Sequence, residues 1–313
     1  MLTTLKRRVA PQRKVCIGVC AYNEEKNIGL LLKNLLAQQD LLPNCEIIVA
    51  CSGCTDSTPH IVGKFQEADQ RVKVITQIER GGKAQALNLI FERASGSEAL
   101  ILTNADAIPD AGSINRLVKA LYTSNVGAVT GRPIPFGKSV GLSGKIVKLI
   151  WDLHHMISTC ESVKMSGELC AIRSSLVNRI PANLATDEPY IEMLIRRQGY
   201  KIGYVPDAVV YIRCPDKFIE IIKHRRRIWA GHLHIKKMEG FTVSTSDFRK
   251  ILSTLVKSFR FSFRNLHVLV LFTGIEILSY LLARYDVSRG KIPFVWETLK
   301  STKTVCAESV EKV

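Results

Sequence analysis

The sequence is short of acidic residues and has no long apolar stretch near its amino terminus. Its 313 residues include 28 Asp and Glu against 44 Lys and Arg, which gives a formal net charge of +16 at pH 7. This imbalance predicts anionic partners such as nucleotide diphosphates, anionic lipid headgroups or nucleic acid. Residues 1–13 form a basic lead-in without the apolar core of a secretory signal, so we expect no export.

The cysteines are too scattered to form the disulfide framework of a small secreted domain. There are nine, an odd number, spread over the whole chain, and we therefore expect a reducing cytosolic setting. Cys51 and Cys54 form a Cys-x-x-Cys motif between a predicted strand and a predicted helix, so a redox protein stays open as an alternative. The sequence has no second cysteine pair of the kind that holds zinc. It also has no helix-turn-helix signature, so we expect no nucleic-acid partner.

The most informative stretch is an apolar run at residues 99–102 that ends in polar residues. Four consecutive apolar residues predict a strand that is buried on both faces. Asn104 and Asp106 follow it, and side chains two positions apart on an extended chain point to the same face. Their oxygens are therefore placed to converge on one cation beside a ligand. An ordinary turn rich in Asn, Asp and Pro is the alternative interpretation.

Strands and helices alternate along the first 120 residues, and polar residues follow four of the strands. This order predicts an α/β fold with a largely parallel sheet and crossover helices. Because the carboxyl ends of parallel strands meet at one edge, the polar segments are expected to define a single crevice. These segments are residues 22–25, 52–56, 80–83 and 104–106.

The same segments, in the same order, resemble the signatures of family 2 glycosyltransferases. The resemblance covers about residues 14–235, and the motif Gly-Lys-Ala-x-Ala-Leu-Asn at residues 82–88 resembles the branch that contains cellulose and hyaluronan synthases. It implies a GT-A fold, in which a Rossmann-like, mostly parallel central sheet is flanked by helices. A helical region at residues 236–313 is expected to follow this catalytic domain. The matching segments are 19–25, 46–49 with Gly53 and Asp56, 82–88, 104–106, 126–133, 166–173, 186–188, 199–206 and 225–231.

The resemblance implies that a sugar passes, with inversion, from a UDP- or GDP-sugar to an acceptor hydroxyl. It also implies a divalent cation, Mg²⁺ or Mn²⁺, held by an Asp-x-Asp motif. Here Asn104 replaces the first Asp, while Asp106 keeps the carboxylate that is the usual direct ligand. Cys51 and Ser52 replace the adjacent carboxylates that read the base in relatives, so the nucleobase stays open. The donor-binding positions carried over are Ala21, Tyr22, Glu24, Ser52, Gly53, Asp56, Lys83, Asn104, Asp106 and Arg227.

The catalytic position implied by the resemblance lies in the segment Thr186-Asp187-Glu188. Inverting transfer needs a general base near the diphosphate, and the register places Glu188 there, with Asp187 beside it as the second catalytic carboxylate. The pair is transposed relative to relatives, and an acidic helix start is the alternative interpretation. Trp229 is expected to stack on an acceptor sugar, or else to be a core residue under a basic face. Gly167 and Glu168 are the other expected acceptor contacts.

The carboxyl-terminal region predicts an association with a membrane surface. Residues 246–264 read as a basic amphipathic helix. Residues 266–283 are apolar but contain His267 and Glu276, and a carboxylate at mid-span costs about 2.5 to 3.5 kcal/mol on insertion scales. We therefore expect docking in the membrane plane or ordinary helix packing, at the cytoplasmic face.

Two further expectations concern the acceptor and the reaction. We expect a glycan or polyprenyl-linked acceptor at the membrane, and few long apolar spans argue against a synthase that extrudes a polymer. Because Asn104 and Cys51 depart from the family pattern, a donor-binding relative that has lost catalysis stays open.

Overall fold

The alternation of strands and helices that the sequence predicts is present in the structure. The computed structural model describes residues 14–38, 45–137, 141–159, 163–243, 266–295 and 303. The first half contains β1 (Val15–Ala21), α1 (Ile28–Leu36), β2 (Glu46–Ser52), α2 (Thr58–Ala68), β3 (Val72–Gln77), α3 (Lys83–Arg93), β4 (Ala99–Asn104), β5 (Ala107–Pro109) and α4 (Ser113–Leu121). The second half contains β6 (Val126–Phe136), α5 (Gly141–Thr159), β7 (Leu169–Arg173), a 3₁₀ turn (Ser174–Leu176), α6 (Glu188–Arg197), β8 (Lys201–Arg213), α7 (Phe218–Glu239) and α8 (Leu266–Ser288).

One eight-stranded sheet organises these elements, in the order β3-β2-β1-β4-β7-β6-β8-β5. The strands β3, β2, β1 and β4 pair with one another in parallel, and β6 pairs in parallel with β8. The strand β7 is antiparallel to both β4 and β6, and β5 is antiparallel to β8. The prediction of an α/β fold with a mostly parallel sheet between helices is confirmed.

The register of the parallel strands explains why the predicted polar segments meet. Cys20 pairs with Ala50 on one side and with Asn104 on the other, and Ser52 pairs with Gln77. The last residues of β1, β2, β3 and β4 thus lie at one level of the sheet. The strands themselves are apolar on both faces because helices cover both, and Ile17, Ile48 and Ile101 are fully buried. The loops after these strands are therefore held on a rigid edge.

The helix α8 packs along α7 and presents two different faces. The predicted helix at residues 246–264 lies outside the described residues, whereas the apolar segment from residue 266 is helical as far as Ser288. By length and composition alone, α8 is apolar enough to cross a membrane. Its buried side contains Ile275, Ser279 and Asp286. The exposed apolar side chains of α8 are Leu266, Val270, Ile277, Leu278, Leu281 and Tyr285.

Candidate active site

A cavity of about 310 Å³ opens at the carboxyl edge of β1, β2 and β4. It is bounded on its far side by α5, α7 and the segment that precedes β7. The sequence had predicted that polar segments after separate strands would share one crevice, and this cavity joins them. The predicted site residues that line it are Ala21, Tyr22, Glu24, Ser52, Lys83, Asn104, Asp106, Gly167, Glu168, Glu188 and Arg227.

Gly53 and Asp56, both predicted to bind the donor, lie behind the cavity wall and shape it. Gly53 has a φ of +63°, and a Cβ there would lie 2.6 Å from the backbone nitrogen of Arg80. The Asp56 carboxylate accepts hydrogen bonds from the backbone N–H groups of Glu25 at 3.1 Å and Thr58 at 3.0 Å. Because its oxygens are occupied in this way, Asp56 joins the loops that follow β1 and β2.

Trp229 does not line the cavity, contrary to the prediction that it stacks on an acceptor sugar. Its indole N–H donates a hydrogen bond to Glu276 of α8 at 2.9 Å. Its ring also meets those of His232 and Tyr280 edge-on, at 5.8 and 5.3 Å between centroids. Trp229 is therefore a packed residue beneath a basic face, which is the alternative that the sequence left open. The reason is that α8, which begins 37 residues after Trp229, covers this side of α7.

One wall of the cavity contains an ion cluster formed by Lys83, Asp187 and Glu188. The ammonium of Lys83, at the first position of α3, lies 3.2 Å from Asp187 and 3.1 Å from Glu188. The side chains of Lys83 and Asp187 are 13% and 4% exposed, and Glu188 is 19% exposed. Asp187 is the residue before α6 and Glu188 is its first residue, so only Glu188 reaches the main cavity. This cluster joins the two halves of the sheet.

The two carboxylates of this cluster differ in their affinity for a proton. Burial and the neighbouring Glu188 raise the pKa of Asp187 to about 6. Burial also acts to raise the pKa of Glu188, but the Lys83 ammonium and a backbone N–H outweigh it and leave that pKa below the ordinary value. Asp187 is therefore the carboxylate that takes up a proton first as the pH falls, while Glu188 stays ionised, which is the form that a general base requires.

Gly167 is required by the position of the Glu188 side chain. A Cβ at residue 167 would lie 1.9 Å from Glu188 Oε1. The segment around it is fixed, because the N–H of Met165 donates to Glu192 at 3.0 Å and the N–H of Ser166 donates to Thr130 at 3.1 Å. The Glu188 carboxylate thus lies against backbone that has no room for a side chain.

Three carboxylates, those of Asp106, Glu24 and Glu168, interact at the donor end of the cavity. Burial and the charge of Asp106 raise the pKa of Glu24 and that of Glu168 to about 7. Burial likewise raises the pKa of Asp106. The amide of Asn104 donates a hydrogen bond to Glu168 at 2.8 Å, which an ionised Asp at that position would not do. Asn104 is therefore matched to the carboxylate beside it.

The comparison with known sequences decides the family. The model of the family described as glycosyl transferase family 2 matches residues 16–176, about half of the chain. The chain belongs to glycosyltransferase family 2. This match spans β1 to the 3₁₀ turn, and so includes the strand ends that carry the donor side of the cavity.

Two curated relatives and one solved structure are similar to this chain. Poly-beta-1,6-N-acetyl-D-glucosamine synthase of Staphylococcus aureus is 28% identical over 242 residues, which cover 74% of this chain and 57% of that protein. The same enzyme of Staphylococcus epidermidis is 25% identical over 225 residues, with 68% and 53% covered. The chain thus spans a little more than half the length of these relatives. Mannosyltransferase PcManGT from Pyrobaculum calidifontis, solved with GDP-Man and Mn²⁺, has a TM-score of 0.62 at 22% identity, with 90% of this chain and 77% of that one covered. This likeness shows the GT-A fold.

The family implies a divalent cation, and the residues at the donor end fit one that is held mainly by a nucleotide. Asp106 offers a carboxylate, and Asn104 offers a carbonyl oxygen because its amide nitrogen is the atom bonded to Glu168. Among the described residues no cluster of three or more His, Cys, Asp or Glu has metal-ligand geometry. Mg²⁺ sites built on substrate phosphates use only one or two protein carboxylates, so this set of two oxygen donors is sufficient.

Arg80 belongs to the segment 80–83 that was predicted to border the crevice, whereas Lys303 and His154 were not indicated by any sequence pattern. The Arg80 guanidinium lies 3.6 Å from the centroid of the Tyr22 ring. The ammonium of Lys303 donates to the Tyr22 carbonyl at 2.8 Å and pairs with Glu24. His154 of α5 and several residues of α7 form the far wall. The sequence contexts of Lys303 and His154 are ordinary for a surface residue and a helix residue, so no local pattern predicted their positions.

Replacement of Gly167 by Ala is expected to lower turnover at least tenfold with little change in donor affinity. The new methyl group has to displace the Glu188 carboxylate, whereas the donor end of the cavity is unaffected. Steady-state kinetics and nucleotide titration measure the two effects. Gly63→Ala in α2 is the matched control, because a Cβ there has nothing within 4 Å. Normal turnover in Gly167→Ala would show that Glu188 does not need this position.

Proposed function

We propose that this family 2 enzyme transfers a sugar, with inversion, from a nucleotide-diphosphate sugar to an acceptor hydroxyl. The observation that carries the proposal is the buried cluster in which Lys83 holds an ionised Glu188 at the cavity wall. A general base needs a low enough pKa to be ionised and a position beside the reacting atoms. Glu188 meets the first condition through Lys83, and the second through its place between the donor end and the far wall.

In the proposed reaction, Glu188 takes the proton of the acceptor hydroxyl while that oxygen bonds to the anomeric carbon. The bond from the anomeric carbon to the diphosphate breaks, and the electron pair leaves with the diphosphate. Lys83 and Arg227 both line the cavity and supply positive charge for this leaving group. Burial lowers the pKa of Arg227 to about 10, so it stays protonated at neutral pH.

The donor is bound, in this proposal, by the ends of β1, β2 and β4. Asp106 and Asn104 would hold a divalent cation, which when bound neutralises charge on the diphosphate. Tyr22 and Ser52 line the part of the cavity nearest to β2 and β3, where the nucleoside is expected. Support comes from the mannosyltransferase of the same fold, which was solved with a nucleotide-diphosphate sugar and Mn²⁺.

Replacement of Glu188 by Gln is expected to lower turnover by about 10² to 10⁴ while donor affinity stays nearly unchanged, because a general base is lost and no donor contact is removed. Asp187→Asn is the matched variant: it is expected to act mainly by loosening Lys83, with a smaller effect on turnover. Transfer kinetics with radiolabelled UDP- or GDP-sugars measure both. If Asp187→Asn were the more damaging change, the base would be Asp187.

Nucleotide diphosphate binding is expected to require a divalent cation, through Asp106. Calorimetric titration of UDP and GDP in Mn²⁺ and in EDTA measures this dependence without relying on turnover. Asp106→Ala is expected to abolish the dependence, and Asn104→Ala to weaken it less, because an amide contributes no charge. Equal nucleotide affinity in Mn²⁺ and EDTA in the parent protein would rule out the cation.

A second candidate function is nucleotide-sugar binding without transfer. It is favoured by Asn104 and Cys51, which stand where relatives carry carboxylates. The hydrolysis of a donor sugar in the absence of acceptor distinguishes the two, because it requires a competent catalytic centre.

The redox alternative is less well supported. Cys54 donates to the Ala21 carbonyl at 3.5 Å, and the Cys51 hydrogen bond lowers its thiol pKa to about 7, yet this chemistry leaves the Lys83 cluster without a role.

The acceptor in our proposal is a glycan or a polyprenyl-linked molecule at the cytoplasmic face of a membrane. Residues 14–235 form the catalytic unit, and residues 236–313 direct it to the lipid surface. Two charges of α8 face the protein, where Glu276 pairs with Arg225 at 2.6 Å and Asp286 with Arg226 at 2.6 Å. The opposite face is apolar and exposed. We infer that α8 lies in the membrane plane, with its charged side on α7 and its apolar side toward the lipid.

Vesicle flotation tests this proposal for α8. The parent protein is expected to float with anionic vesicles at low salt and to be released by high salt, because each basic residue near the surface contributes about 1 kcal/mol. The variant Ile277→Glu/Leu281→Glu, on the exposed apolar face, is expected to lose at least tenfold in vesicle affinity. Ile78→Glu is the control, since Ile78 is an exposed apolar residue elsewhere, at 94%. Failure of the parent to float would contradict the proposal, and retention that resists both salt and alkali would mean that α8 crosses the bilayer.

A further inference from the structure

The far wall of the active-site cavity combines apolar side chains with basic ones. It is formed by α5, by α7, and by the segments that precede each of β7 and α7. The apolar members are Val147, Ile150, Trp151, Pro215, Ile221 and Ile228. The basic members are His154, Lys164, His224, Arg225 and His232. Glu188 lies between this wall and the donor end, so the wall faces the side from which an acceptor reaches the anomeric carbon.

Lys164 is a half-buried cation whose ammonium has no hydrogen bond or ion pair within the parts of the chain that the structure describes. The nearby Arg225 differs, since its guanidinium is engaged by Glu276 at 2.6 and 2.9 Å. Burial and the repulsion of Arg225 both lower the pKa of Lys164. Leaving a charge without a partner away from water costs free energy. Attraction by Glu188, Glu192 and Glu276 offsets only part of these effects, so an anion bound beside this ammonium would stabilise its charged form.

His154 supplies a second polar group to the same wall. Its Nδ1 is enclosed and has no hydrogen-bond partner within the described residues. The ring is held edge-on to Trp151, with 5.5 Å between centroids. Burial lowers the pKa of His154 to about 3, so the imidazole is neutral at physiological pH. A neutral imidazole has one N–H donor and one acceptor nitrogen, and Nε2, which is not enclosed, is the nitrogen that can present its N–H to a ligand.

The charge of Lys164 acts on the acceptor side of the cavity rather than on the donor end. It is among the cations that lower the pKa of Glu188, and it influences His154 and His224. The cations that act most strongly on Asp106 are Lys303, Lys83 and Arg227. The donor diphosphate therefore has its own basic residues, and Lys164 is available to a different anion.

We propose that Lys164, together with His154, binds the phosphate group of a phosphorylated acceptor and so places its hydroxyl against Glu188. This inference rests on the proposed transfer reaction, for which it names the class of acceptor. A phosphate accepts charge-assisted hydrogen bonds from an ammonium and an imidazole. The apolar side chains beside Lys164 suit either the first isoprene units of a lipid phosphate or the carbon face of a soluble sugar phosphate.

The test uses the full chain and two phosphate probes, glycerol 3-phosphate and farnesyl phosphate, with glycerol and farnesol as uncharged controls. Calorimetry is expected to show binding of a phosphate probe and none of its uncharged counterpart. Lys164→Gln is expected to raise the dissociation constant at least tenfold, whereas Lys164→Arg retains binding. Lys148→Gln is the matched control, because Lys148 is a lysine on α5 that is 73% exposed. Tighter binding of farnesyl phosphate identifies a lipid source, and tighter binding of glycerol 3-phosphate a soluble one.

Two measurements separate this role from others. The melting temperature of Lys164→Gln is expected to stay the same or rise, because an unpartnered charge is removed; a fall in melting temperature with unchanged phosphate binding would overturn the proposal. The proposal would also be overturned if phosphate binding were lost in Lys83→Gln but kept in Lys164→Gln. The phosphate would then occupy the donor end of the cavity. Titration of the same proteins with UDP and GDP measures donor binding separately from phosphate binding. Loss of nucleotide binding would count against the proposed transfer reaction, and loss of phosphate binding alone would count against this inference.

Discussion

The ion cluster of Lys83, Asp187 and Glu188 is the interaction on which the rest of the site depends. Two adjacent buried carboxylates repel each other, and the Lys83 ammonium at 3.1 to 3.2 Å from both makes their proximity tolerable. Because Lys83 starts α3 and the carboxylates start α6, the same contact holds together the parallel half of the sheet and the mixed half. The contact also separates the pKa values of the two carboxylates, because that of Glu188 is lowered while that of Asp187 is raised. Neighbouring carboxylates whose pKa values are pushed apart are typical of acid–base sites.

The unusual residue at position 104 makes sense once its surroundings are considered. Burial, together with the charge of Asp106, already raises the pKa values of Glu24 and Glu168 to about 7. A further carboxylate at residue 104 would add to the repulsion from Asp106, whereas the Asn104 amide donates a hydrogen bond to Glu168. The substitution therefore removes a charge from the donor end and adds a positioning contact. The cation proposed there would be held by fewer protein charges and more by the nucleotide it accompanies.

Local sequence patterns predicted the sheet and most of the cavity, because each strand and the loop after it are encoded within a few residues. The parallel register then brings Ala21, Ser52 and Asn104 to one edge without further information. The residues that were misplaced or missed depend on packing across long separations. Trp229 faces Glu276, 47 positions away, and Lys303 reaches Tyr22 across 281 positions. No sequence pattern singled out Lys164. Its proposed role as a phosphate ligand follows from the absence of a hydrogen bond or ion pair to its ammonium among the described residues.

The helix α7 connects the proposed acceptor site with the proposed membrane surface. Its three consecutive arginines point in different directions because successive residues on a helix are about 100° apart. Arg226 pairs with Asp286 of α8, Arg227 lines the cavity, and Arg225 does both, lining the cavity while it pairs with Glu276. A shift of α8 at a lipid surface would therefore be transmitted to Arg225, the cation whose repulsion lowers the pKa of Lys164. An acceptor anchored in the membrane and the residue that would bind its phosphate are thus linked through one helix, which gives a physical reason for the apolar α8 to follow the catalytic unit in this chain.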